Sequence, residues 1–191
     1  VNLIKALREI NFYPEKIIYA SSSEIYGEFP RAIPTNEEEL MQLDVSAVRD
    51  SYASSKGIGE FLVKNFCHET NSDYLIFRIF NAYGPKMDTS KYGQVVPEFI
   101  NKAIGKGPFS IIGNGQQTRS FCFVQDHVRM ALSLISNASN EVINLGNDNE
   151  VKMLDLAQQV CRIIDVPFNP IFQKARKNDP LRRCPDLSKL L

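Results

Sequence analysis

Lys16-Ile17-Ile18-Tyr19-Ala20-Ser21-Ser22-Ser23-Glu24-Ile25-Tyr26-Gly27 decides the fold. Its first half is a short apolar run of strand type, expected to be buried on both faces. Its second half is small and polar and falls at the strand's C-terminal end, where ligands bind in open parallel sheets. Tyr74-Leu75-Ile76-Phe77-Arg78-Ile79-Phe80 repeats the pattern: a second buried strand, ending in the polar turn Asn81-Ala82-Tyr83-Gly84-Pro85. Parallel strands at about 16–21 and 74–80 are therefore expected, flanking a helix that starts near Tyr52. Arg78 lies inside an apolar strand and needs a partner, because an unpaired buried charge is costly.

Helical periodicity fills the gaps. Leu3, Ile4, Leu7 and Ile10 predict the end of an amphipathic helix over 1–11, closed by Pro14. Asp50 or Ser51 is expected to cap the next helix, whose core stripe reads Ile58, Phe61, Leu62, Phe66. Gly57 and Gly59 weaken that helix in isolation but permit close packing or ligand approach. Between strand and helix, residues 28–50 form a long loop with Pro30, Pro34 and the run Glu37-Glu38-Glu39, expected to be a solvated helical turn.

Further on, the spacing predicts a helix over Val95–Ile104 with Pro97 in its first turn, and a short strand over Phe109–Ile112. A tight turn at Gly113-Asn114-Gly115 follows, then a strand over Arg119–Val124. Next come a helix over 126–136 with Val128, Ala131, Leu132 and Ile135 inward, a strand over Val142–Gly146, and a helix over Met153–Ile164 with the stripe Leu154, Ala157, Val160, Cys161. The tail, Asp179-Pro180-Leu181-Arg182-Arg183-Cys184-Pro185, is basic and proline-punctuated. The alternation is that of an α/β protein. A composition shift near residue 88 divides a parallel-sheet half from a smaller α+β half.

The 191 residues suffice for one domain with a real core, and 43% hydrophobic and 23% charged residues are ordinary for a globular chain. Lys+Arg and Asp+Glu are both 22, so neither nucleic acid nor a membrane surface is an expected partner. Cys67, Cys122, Cys161 and Cys184 form no metal or redox spacing and read as reduced core thiols of a cytoplasmic protein. His68 and His127 are isolated, and no converging ligand set for a metal is found. The chain does not begin with Met or a signal peptide, and it reads as a piece of something longer.

Chemistry enters at Ser51-Tyr52-Ala53-Ser54-Ser55-Lys56. Tyr52 and Lys56 are four residues apart and share one helical face. An ammonium beside a phenol favours the phenolate, which is a general base for a hydroxyl proton. Such a pair also arises by chance on a solvated helix, so the pair alone decides little.

Five ordered motifs decide more: Ser21-Ser22-Ser23-Glu24-Ile25-Tyr26-Gly27, Tyr52-x-x-x-Lys56, Arg78-Ile79-Phe80-Asn81-Ala82-Tyr83-Gly84-Pro85, Gly113 to Phe121, and Asp179 to Asp186. With them the chain resembles the extended short-chain dehydrogenase/reductase family of NAD-dependent nucleotide-sugar epimerases, dehydratases and decarboxylases. The resemblance implies a Rossmann-type parallel sheet domain over 1–87 and a nucleotide-sugar-binding region over 88–191, with some segments returning to the sheet. It implies NAD rather than NADP, and a nucleotide-diphosphate sugar, a UDP-sugar first, oxidised transiently at C4. Tyr52 becomes the base at the sugar 4-hydroxyl, and Lys56 the holder of the nicotinamide ribose. Ser22 bonds the 4-oxygen, and Glu24 falls where dehydratases and decarboxylases carry a second acid/base group. Ser21 and Ile79 line the cofactor, and Asn81, Arg119 and Arg183 bind the substrate's diphosphate. Ser22, Tyr52 and Asn81 are expected to open onto one cleft, and a homodimer through the Tyr52 helix and its neighbour is implied.

Departures matter too. Dehydratases acting on deoxythymidine-diphosphate glucose usually have Asp-Glu at Ser23-Glu24, and simple 4-epimerases usually lack the Glu. Ser-Glu with the Arg183-Cys184-Pro185-Asp186 tail is most similar to UDP-glucuronate decarboxylases, although GDP-mannose dehydratases also carry Ser-Glu. The family's G-x-x-G-x-x-G turn is absent from these 191 residues. That absence supports a second reading, a non-catalytic remnant that binds a nucleotide sugar or a protein partner but not NAD.

Overall fold

A computed structural model describes residues 1–87, 94–105, 109–175 and 180–191. Its centre is a parallel sheet of three strands: β1 (Lys16–Ser22), β2 (Asp73–Ile79) and, after several short strands, β7 (Glu141–Leu145). Lys16 is level with Asp73 and Ser22 with Ile79, and Ile79 is level with Leu145. The three strands therefore end together, and the polar stretches that follow β1 and β2 emerge on one edge. Ser23–Tyr26 turns there as a short 3-10 helix, with Ser22 Oγ accepting from Glu24 N at 3.2 Å.

The predicted helix before β1 is α1 (Asn2–Glu9), and the helix between β1 and β2 is α2 (Ser51–Thr70). Neither expected cap works through its side chain: Asp50 is the capping residue but makes no such bond, and its Oδ2 instead accepts from Asp44 N at 2.8 Å. The inward face of α2 also differs from the expected stripe. Ala53, Gly57, Glu60, Val63, Phe66 and Cys67 are buried, while Ile58 is 57% and Phe61 62% exposed. The glycines permit that rotation. A Cβ at Gly57 would stand 2.5 Å from the Met41 side chain, and one at Gly59 would stand 2.0 Å from Tyr19 Oη. With those faces pressed inward, Ile58 and Phe61 turn out. β1 is not buried on both faces, because it is the end strand of the described sheet and Ile18 is 45% exposed. Ile17 and Tyr19 pack on the other side with Leu7, Val63, Phe66 and Ile76.

Short pairs flank the sheet. β3 (Ala82–Tyr83) runs parallel to β6 (Cys122–Phe123), and β5 (Thr118–Ser120) antiparallel to β8 (Glu150–Lys152). The single strand expected over 119–124 is thus two, which separate at Phe121 to reach different partners. α4 (Val124–Ile135) starts earlier than expected, and Val128 and Leu132 face outward. Met130, Ala131, Leu134 and Ile135 cover Leu75, Phe77, Ile143 and Leu145. His127 orients this helix: it is buried, and its Nε2 lies 3.1 Å from Leu145 O.

α3 (Val95–Ile104), β4 (Phe109–Ile112) and α5 (Met153–Ile164) stand as predicted, with the unpredicted β9 (Pro170–Gln173) parallel to β4. Phe99, Ala103, Phe109, Ile111, Ala157, Val160 and Cys161 form their apolar core. Gly113 and Gly115 make the expected turn at positive φ, 70° and 74°. All four cysteines are buried and free. The boundary expected near residue 88 and Asp179 of the tail motif lie outside the described residues.

Candidate active site

The residues singled out by motif gather at the C-terminal edge of the parallel sheet. Lys56 Nζ donates to Ala20 O at 2.8 Å, so α2 is fastened to the end of β1 by the side chain of its own second turn. The ammonium lies 5.7 Å from the Tyr52 ring centroid and 5.5 Å from that of Tyr19. It has three donors, and Ala20 O takes one. Tyr52 is 53% exposed, with its ring open to a ligand. Ser21 and Ser22 are buried, and Ser21 Oγ donates to Glu60 Oε1 at 2.5 Å. Ile79, level with Ser22 and Leu145, closes the same edge.

Asn81 follows β2, and its Nδ2 donates to Ser120 O at 2.9 Å. An amide nitrogen has two hydrogens, and one is spent there. Arg119 is half-buried on β5, and its Nη1 donates to Thr118 O at 2.7 Å. Arg183 and Glu24, far apart in the chain, form a short ion pair. Arg183 is a buried residue. Both line a cavity of about 450 Å³ whose wall includes Gly27, Met41, Asp44 and Asp50.

Beneath the edge lies a polar network that the motifs did not reveal. Glu60 Oε2 accepts from Arg78 Nη2 at 2.9 Å and Glu60 Oε1 from Arg78 Nε at 3.1 Å, which supplies the partner Arg78 requires. Arg78 Nη1 reaches Tyr26 Oη at 3.1 Å and Glu37 O at 2.9 Å. Tyr26 Oη donates to Asn144 Oδ1 at 2.7 Å, and burial pushes the Tyr26 phenol up to about 12. Asn144 Nδ2 donates to Thr35 O and Asp186 O, at 2.9 and 3.1 Å, which ties loop and tail to β7. The acidic run is therefore no solvated turn: Glu37 Oε1 accepts from Asn144 N at 2.7 Å, and buried Glu39 accepts from Arg31 N at 2.9 Å. The arginine inside a strand signalled that a buried partner exists. Nothing local pointed to Glu60, Tyr26 or Asn144.

The profile of the NAD dependent epimerase/dehydratase family matches residues 1–146. The chain belongs to that family. Among its members, UDP-glucuronic acid decarboxylase 2 of Arabidopsis thaliana is 36% identical over 174 residues, which are 91% of this chain and 39% of the plant protein. UDP-glucose 4-epimerase of Thermotoga maritima, solved with UDP-glucose, superposes with a TM-score of 0.87 at 26% identity, covering 98% of this chain and 59% of that one. UDP-glucuronic acid 4-epimerase of Bacillus cereus, solved with UDP-glucuronic acid and NAD, gives 0.82 at 26% identity, over 98% of this chain and 57% of that one. The family fold is thus the α/β, Rossmann-type parallel arrangement built around β1, β2 and β7. Among the described residues no helix is long and apolar enough to cross a membrane, and no cluster of ligands could hold a metal.

Proposed function

We propose that the protein carrying this chain modifies a UDP-sugar through transient oxidation at C4, with NAD as cofactor. The observation that carries the reading is the Tyr52–Lys56 pair, anchored at Ala20 O on the edge where three parallel strands end. Relatives support it: the Bacillus cereus epimerase was solved with NAD and UDP-glucuronic acid. The residues present fit the nicotinamide end of NAD. Lys56 offers ammonium donors beside an open phenol, and Ser21 and Ile79 bound that edge. The pyrophosphate cradle of the family is not among these 191 residues. When bound, the nicotinamide supplies the hydride acceptor.

In this reading Tyr52 takes the 4-hydroxyl proton, Ser22 bonds the 4-oxygen, and Lys56 holds the ribose. The reading requires Ser22, Tyr52 and Asn81 to open onto one cleft. Asn81, Arg119 and Arg183 meet the diphosphate, where a guanidinium fork suits two phosphates. The Glu24–Arg183 pair lines the cavity, and Glu24 supplies the second acid/base group, which favours a UDP-glucuronate decarboxylase over a simple epimerase. The chain divides near residue 88 into a cofactor part and a substrate part, α4 and β7 returning to the sheet. Two copies pair through the exposed apolar faces of α1 and α2, at Leu3, Ile58 and Phe61. Four free thiols support a cytoplasmic setting.

In the full protein, Tyr52→Phe should lower kcat far more than it changes KM, as loss of a transition-state group does. Arg119→Ala should weaken UDP binding by about ten- to a hundredfold, the worth of a charge-assisted hydrogen bond. Arg183→Lys should be nearly as harmful, because a point charge does not replace a fork. Full turnover in Tyr52→Phe, or unchanged UDP titration curves in both arginine variants, would sink the assignment.

A further inference from the structure

Glu60 is 3% and Arg78 7% exposed, so both charges are withdrawn from water. Such pairs seldom stabilise a fold better than apolar side chains of the same volume would. Glu60 shares its buried face of α2 with the apolar Ala53, Val63 and Phe66. What the pair does supply is direction. Glu60 takes both Nε and Nη2 of Arg78 and also the Ser21 hydroxyl. Arg78 turns its remaining nitrogen to Tyr26 and to the Glu37 carbonyl, and its guanidinium carbon lies 5.0 Å from the Tyr26 ring centroid.

Four segments meet at this point: α2 with Tyr52 and Lys56, the end of β1 with Ser21 and Ser22, the turn holding Glu24 and Tyr26, and β2 leading to Ile79 and Asn81. Glu60 lies one helical turn beyond Lys56 and two beyond Tyr52. Lys56 grips Ala20 O while Glu60 grips the Ser21 hydroxyl, so successive residues of β1 are held by successive turns of α2. Two grips of this kind fix the rotation of the helix about its axis as well as its height. A rotation of only ~10° moves an atom at the ~6 Å outer radius of a helix by about 1 Å. A misplacement of that size costs about a hundredfold in rate.

We infer that the Glu60–Arg78 pair is a positioning device that sets the rotation and height of α2, and thereby where Tyr52 and Lys56 stand over the sheet edge. The inference rests on the proposed roles of Tyr52 and Lys56. Neither Glu60 nor Arg78 is assigned contact with substrate or cofactor.

The test replaces the pair by apolar side chains, Glu60→Leu with Arg78→Met, in the full protein. The double variant should unfold cooperatively on heating and keep its affinity for UDP, while kcat falls ~10- to 100-fold and KM stays nearly unchanged. 3-Fluorotyrosine incorporated at Tyr52 gives a readout independent of turnover: its ¹⁹F resonance should shift in the double variant. Wild-type kcat, or a resonance that does not move, overturns the inference. If the double variant does not fold, Glu60→Gln is read in the same way. Tyr52→Phe serves as the control. A fully active Tyr52→Phe removes the reading on which the inference rests and the inference with it. An inactive Tyr52→Phe beside a fully active double variant removes the inference alone.

Discussion

The two interiors of the chain are built differently. Around α3 and α5 the core is apolar, with Phe99 and Phe109 rings 5.0 Å apart and Ile111, Ala157 and Val160 filling in around them. Under the edge of the three-stranded sheet the interior instead holds Glu60, Arg78, Tyr26 and Asn144, all buried and linked by hydrogen bonds. Apolar side chains of similar volume can exchange at small cost. Donors and acceptors in a dry interior admit few arrangements, and each partner lost is costly. Directional bonds are concentrated where several segments must keep register, and non-directional burial where compactness is enough.

That contrast can be broken by measurement. Arg78→Met alone leaves Glu60 buried without its cation and should cost ~3–5 kcal/mol in urea unfolding, the loss typical of a broken buried pair. A loss under ~1 kcal/mol would mean that Glu60 is neutralised or solvated at small cost, and that the network is not rigid. In the apolar core, Ile111→Ala should cost ~2–5 kcal/mol through its cavity. Ile111→Leu, which keeps the volume, should cost less than ~1.5 kcal/mol. The nominally mild Arg78→Lys should exceed that, because an ammonium cannot hold both Glu60 oxygens. If Ile111→Leu proves the costlier of the two, the contrast between the interiors fails.

Tyr26→Phe should cost ~1–3 kcal/mol, since Asn144 Oδ1 loses its donor in a dry site. It should also change the alkaline limb. Burial raises the Tyr26 phenol from 10.0 to about 12, so between those pH values the unfolded chain releases a proton that the folded chain keeps. The wild-type contribution is whole below pH ~10 and is lost as pH rises toward ~12. Melting temperatures compared across that window should fall less steeply in Tyr26→Phe, and parallel curves would exclude Tyr26 as the source. The smallest effect is expected on the surface. Arg182 pairs with Glu150 half in solvent, so Arg182→Ala should cost ~1 kcal/mol or less, shrinking with added salt.

Much of the fold is legible along the chain. α3 and α5 fall on their expected bounds, and β1, β2 and β7 within a residue or so of theirs, because clean periods of 3.6 and short apolar runs are local signals. Rotation of a helix is not local. Ile58 and Phe61 have the spacing of core residues yet face outward, while Gly57 and Gly59 lie against Met41 and Tyr19 from other segments. The same holds for α4, where buried His127 and its contact with Leu145 O turn Val128 and Leu132 outward. At the site, the motifs located Ser22, Glu24, Tyr52, Lys56 and Asn81 on the segments where the structure holds them. They did not show that Arg183 is buried against Glu24.

By itself the sequence determined the α/β class, the strands whose ends make the site edge, and the shared face of Tyr52 and Lys56. All three follow from spacing along the chain, which backbone geometry converts directly into position. Only the tertiary structure decided which face of α2 is buried, that Arg78 takes Glu60 as its partner, and that Arg183 meets Glu24 across 159 residues of chain. A charge in a strand announces that it needs a counter-charge, but not which of the 22 acidic residues will supply it. That choice depends on which segments the packed core brings within hydrogen-bond distance, and no local pattern of residues records it.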